Sequence, residues 1–173
     1  DYHDGELQRL VEIYSKFGSS EYPNSLKPLG TQAANRFVQN ALERGYRLGF
    51  TGGSDTHVGR PGSDGFDAAS LQYRSGLTAV YAEDLTREAI WDALWNRRCY
   101  ATTGERIILD VKINGNIMGS ENPVNSNRVN QDRKIQVKVS GTSKIEKIDV
   151  VRNNANIYTQ KEDKGDVNFE YVD

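Results

Sequence analysis

From about Gly104 onward the chain carries no helical period at all. The runs ILDVKINGNIMG, RKIQVKVSG, KIEKIDVVRNN and VNFEYVD alternate apolar and polar residues, and Asn, Gly and Ser clusters separate them. Successive strand side chains face opposite sides, so each run has one apolar face that needs covering. That pattern predicts a small antiparallel, sandwich-like β domain over residues 107–173. It reads as incomplete, because FEYVD has the character of mid-strand sequence.

Residues 1–106 read differently. RLVEIYS, residues 9–15, alternates as a strand, with Leu10, Glu12 and Tyr14 on one side and Val11 and Ile13 on the other. FGSSEYPNSLKPLGT is dense in Gly, Ser, Pro and Asn and predicts a long loop. From Thr31 a helix is expected, with Ala34, Phe37, Val38, Ala41 and Leu42 at helical spacing and Gly45 as its stop. RLGFTGG (47–53) and GLTAVYAE (76–83) are further strands. A helix then runs after Asp84, capped by Thr86, with Ile90, Trp91, Leu94 and Trp95 on one apolar face. RRCYATTG suggests a fourth strand. Repeated strand-then-helix order predicts an α/β unit with a parallel sheet or barrel.

The 173 residues suffice for a hydrophobic core, and 22 Lys plus Arg against 24 Asp plus Glu leave a net charge of −2. That balance argues against a nucleic-acid surface. One cysteine, Cys99, excludes an intrachain disulfide and reads as a buried small hydrophobe. No run is long enough to span a membrane as a helix, and the N-terminus has no signal-peptide pattern. The expectation is a soluble chain, cytoplasmic or periplasmic.

The strongest chemical signal is GGSDTH, residues 52–57, at the C-terminal end of a predicted parallel strand. In an extended segment residues two apart project to one side, so Asp55 and His57 reach a common point. A carboxylate and an imidazole together suit a divalent ion such as zinc, manganese or iron. The bland alternative is a turn-capping aspartate beside an ordinary loop histidine. With only two histidines, His3 and His57, the chain cannot complete a dinuclear centre by itself.

Gly53, Ser54, Asp55, Thr56 and His57 resemble the Gly-Ser-Asp-x-His segment that closes the metal-binding pattern of the PHP (polymerase and histidinol phosphatase) superfamily. VEIYS, GSSE, GFTGGSDTHVGRPGS, GLTAVYAEDLTREAIWDALWNRRCYATTG and LDVKINGNIMGSE extend the likeness over about the first 120 residues, in the manner of an uncharacterised branch. The resemblance implies the C-terminal part of a (β/α) PHP-type barrel and a metal-dependent phosphoesterase, with Asp55 and His57 as the last pair of ligands. The earlier ligands of that pattern, a His-x-His among them, are not in this chain, and DYHDGEL around His3 does not match one.

Two further residues are candidates for the catalytic site. Glu12 stands on an otherwise apolar strand and needs a partner; support of a ligating histidine is favoured over direct ligation. Arg60, in a glycine-containing loop, is either a clamp on a small phosphorylated or other anionic substrate or a solvated loop residue. Arg98, Thr102 and Thr103 read as structural, and Trp91 and Trp95 as core. A rival reading makes the chain a non-catalytic interaction or carbohydrate-binding module. Its open strand edges would then drive homo-oligomerisation.

Overall fold

The structure is a computed structural model that describes residues 3–29, 36–57, 59, 73–121 and 132–173. The chain divides into two compact units, Asp1–Arg106 and Ile107–Asp173.

In the first unit β1 (Leu10–Ser15) pairs with the short β2 (Gly18–Ser19) antiparallel and with β3 (Gly49–Gly52) parallel, giving the order β2-β1-β3. Part of the expected loop after β1 is therefore a tight hairpin. A register shift between Glu12 and Tyr14 breaks the alternation of β1. Tyr14 is buried at 4% exposure, whereas Glu12 is exposed, so the two do not share one environment as simple alternation predicts. Helix α1 spans Val38–Glu43 and buries Phe37 and Val38. Gly45, at φ 82°, ends it. The Gly45 amide bonds Leu42 O and the Tyr46 amide bonds Ala41 O, the paired bonds that close a helix over a left-handed residue.

β4 (Leu77–Val80), α2 (Arg87–Trp95) and β5 (Cys99–Thr102) follow. Thr86 Oγ1 accepts the Ala89 amide at 3.2 Å and caps α2 as expected. The apolar face is not the expected one. Ala93 is fully buried, but Trp91 is 65% exposed and stacks on Trp95 at the surface. The guanidinium of Arg9 covers the Trp95 ring at 4.4 Å.

The second unit is one four-stranded antiparallel sheet, ordered β7-β6-β8-β9, from β6 (Ile108–Ile113), β7 (Asn116–Ile117), β8 (Lys134–Arg152) and β9 (Ala155–Val172). Both tight turns use left-handed residues, Asn114-Gly115 between β6 and β7 and Asn153-Asn154 between β8 and β9. Ile135, Val137 and Val139 form the core, and the register sets Val137 between Val111 and Phe169. Cross-strand apolar pairs of this kind hold one face of a sheet together.

The expected partial (β/α) barrel followed by a sandwich is overturned. Among the described residues 47% lie in strands and 11% in helices, and the sheets are not closed. β1 and β3 are parallel, but β4 and β5 are antiparallel, with Val80 opposite Cys99. Helix α2 thus sits inside the connection of a hairpin and does not carry the chain back for a parallel return. Strand-helix-strand order is compatible with either path, which is why sequence pattern misleads here. Nor do the described residues of the second unit form two stacked sheets. KIQVKVSG and KIEKIDVVRNN, read as separate strands, are one long β8 bent between Ser140 and Ile145 by register shifts. Among the described residues no helix is long and apolar enough to cross a membrane.

Candidate functional site

The parallel β1–β3 pair builds the site. Tyr14 lies opposite Gly52, and the Gly53 amide donates to Tyr14 O at 3.0 Å, so the GSDTH segment leaves β3 beside the end of β1. β4 is stitched to this point. Thr78 Oγ1 donates to Gly52 O at 2.8 Å and accepts the Gly52 amide at 3.0 Å, while the Gly76 amide donates to Gly53 O at 2.9 Å. Crowding by backbone requires glycine at Gly52. A Cβ on Gly52 would meet Leu77 O at 2.9 Å, and one on Gly53 would collide with Glu12 Oε1.

His57 Nε2 stands 2.7 Å from Asp55 Oδ1. The two residues come together, but not from an extended segment: φ is 49° at Asp55 and 57° at His57. Left-handed backbone is uncommon for side chains with a Cβ, costs about 1 kcal/mol or more per residue, and concentrates at functional sites. Ser15 Oγ donates to Asp55 Oδ2 at 3.4 Å and accepts the Phe17 amide at 3.2 Å. The Phe17 ring lies 5.5 Å from that of His57. Thr56, between the pair, is buried.

Glu12 belongs to the same cluster. Although the residue is largely exposed, its carboxyl leans over Gly53, and desolvation there pushes its pKa above the usual carboxylate value. The negative charge of Asp55 pushes it further in the same direction. Two carboxyls held near one another, one of them against an imidazole, form a place where a cation is favoured. At 2.7 Å His57 Nε2 and Asp55 Oδ1 are within hydrogen-bond distance of each other. Among the described residues no group of three or more His, Cys, Asp or Glu side chains is arranged to hold a metal.

Arg60 lies outside the described residues. His3 stacks on Tyr46 at 3.7 Å. Arg98 pairs with Asp92, and Thr102 Oγ1 accepts the Gly104 amide. Cys99 is 3% exposed, and burial pushes its thiol pKa up. Sequence reasoning passed over Ser15 and Phe17. The signal was present in the parallel pairing itself, because once VEIYS and GFTGG are adjacent strands, the end of β1 must face GSDTH.

Residues 65–142 match the family described as "Protein of unknown function (DUF3604)". The match begins after the Asp55–His57 segment. The chain is 36% identical over 175 residues to an uncharacterized protein of Chlamydia pneumoniae, with 97% of this chain and 28% of the relative aligned. Uncharacterized proteins of Chlamydia muridarum and Chlamydia trachomatis serovar D are similar at 36% over 184 and 185 residues. The chain spans 28% of the length of each of these relatives. No solved structure matches it.

Proposed function

We propose that the chain carries part of a metal-dependent hydrolytic site, in which Asp55 and His57 hold a divalent ion such as zinc, manganese or iron. The observation that supports this most is the 2.7 Å approach of His57 Nε2 to Asp55 Oδ1 at the end of a strand parallel to β1. A bound ion would supply an activated water and charge for a developing oxyanion. Ser15 fixes Asp55 through its hydroxyl, and Phe17 restricts the His57 ring. Glu12 is placed to accept a proton near the cluster, because its raised pKa brings it closer to neutrality than a free glutamate. A phosphate ester is the favoured substrate class, since divalent ions neutralise phosphate oxygens. The resemblance to PHP-type hydrolases supports the same chemistry.

Hydrolysis of aryl phosphate mono- and diesters tests the reading. With added manganese, wild type should turn over substrate and Asp55→Asn should lose at least about 100-fold. Turnover that survives in Asp55→Asn, or in chelator, would count against it.

A further inference from the structure

The hairpin joining β1 to β2 turns through Lys16 and Phe17, with Ser15 opposite Gly18. Two-residue turn tips favour small and polar residues, yet the second position here carries an aromatic ring that is 37% exposed. One exposed ring is ordinary in itself. Its place is what carries weight.

The Phe17 ring stands at the candidate site. Its centroid lies 5.5 Å from that of His57, with the two planes inclined by 31°. The His57 side chain is largely open to solvent, while its Nε2 is held 2.7 Å from Asp55 Oδ1. Glu12, Ser15, Asp55 and His57 bring polar groups to this place, and Phe17 brings apolar surface.

The turn holds that ring in position. The Phe17 amide donates to Ser15 Oγ at 3.2 Å, and the same hydroxyl donates to Asp55 Oδ2 at 3.4 Å. The Ser19 amide donates to Lys27 O at 2.6 Å, and a Cβ on Gly18 would meet Pro28 O at 2.6 Å. Gly18 has φ 122°, so the close approach and the backbone both require glycine. On an anchored backbone a phenylalanine has only two side-chain torsions to order, so stacking on it costs little entropy.

An exposed aromatic face prefers another ring, through buried area and through the geometry of paired π-systems. A methyl group offers too little surface to use it. We infer that Phe17 is the specificity-determining residue of the site, receiving the aromatic group of an ester whose charged end lies at Asp55 and His57. This rests on the proposed hydrolytic reading and narrows its substrate class to aryl phosphate esters. Phe17 acts in binding, and no bond to it forms or breaks.

Calorimetric binding of phenyl phosphate and methyl phosphate to the whole chain tests it, with manganese present and absent. Wild type, Phe17→Ala, Phe17→Leu and Phe17→Trp are compared, with turnover of phenyl phosphate followed in parallel. Wild type should bind phenyl phosphate about 3- to 10-fold tighter than methyl phosphate. Phe17→Ala and Phe17→Leu should bind the two alike, and Phe17→Trp should keep the preference. Leucine retains bulk against His57, so a Phe17 that merely packs there would leave any preference intact in Phe17→Leu. In turnover, Phe17→Leu should raise KM for phenyl phosphate with kcat within about 2-fold. Absence of phenyl phosphate binding, equal wild-type affinity for the two esters, or a preference that survives in Phe17→Leu overturns the inference. If manganese-dependent turnover occurs without a phenyl preference, this inference alone fails. If the preference needs Phe17 but manganese brings no turnover, the hydrolytic reading fails and the aromatic subsite stands.

Discussion

Asp55 and His57 meet at 2.7 Å although both have left-handed backbone. The contact is not the by-product of a regular strand. The chain must leave β3 in two strained steps to bring carboxylate and imidazole to the same point, and Asp and His tolerate that backbone better than branched residues do. Three outside contacts hold the arrangement: Ser15 on Asp55, Phe17 on His57, and Thr78 on the backbone of Gly52.

Gly53 is where strand and site compete for space. Gly53→Ala should cost less than about 1 kcal/mol in denaturant unfolding, because its Cβ meets only the carboxyl end of the exposed Glu12 side chain, which can swing aside. The double variant Gly53→Ala/Glu12→Ala should recover much of that loss. Additive losses in this cycle would show that Glu12 is not what crowds Gly53.

Glu12 sets a pH dependence. Desolvation, with the Asp55 charge added, raises its pKa above 4.5, so the folded state holds this proton more tightly than the unfolded one. Its ionisation therefore opposes folding. The penalty is absent below the ordinary value, grows as pH rises from about 4.5 through the raised folded value, and is constant above it. Glu12→Gln should show a stability gain over wild type that opens across that window. Solvent screening limits it to a fraction of about 1 kcal/mol. Urea titrations from pH 3 to 8 check this, and a gain largest at low pH would contradict it.

In the second unit the core is one-sided and narrow. Val137 is 3% exposed between Val111 and Phe169, and Val137→Ala should destabilise by about 2 kcal/mol. Val151, 57% exposed near the end of β8, should change by less than about 0.5 kcal/mol when cut to Ala. Equal costs would mean that the apolar face lies elsewhere.

Local chemistry was legible in the sequence and long-range pairing was not. Thr86 and Gly45 declared their helix ends through residue-specific hydrogen bonding and backbone freedom, and GFTGG declared a strand running into a polar loop. The register shift between Glu12 and Tyr14, the antiparallel return of β5 onto β4, and the fusion of two alternating runs into one bent β8 depend on partners distant in sequence. Trp91 shows the same limit: an i, i+4 aromatic pair reads as core until it is known which face of α2 is covered, and here Ala93 takes that place. Of the site, Asp55, His57 and Glu12 could be picked out by residue type. Ser15 and Phe17 could not, because their relevance comes from the turn that sets them beside a segment about 40 residues further on.

Metal content after dialysis is the most direct measurement of the central claim. Elemental analysis of wild type and His57→Ala, loaded with zinc or manganese and dialysed, should show retained metal in the wild type that is lost in the variant. Equal metal in both samples, or none in either, would contradict the assignment of Asp55 and His57 as ligands.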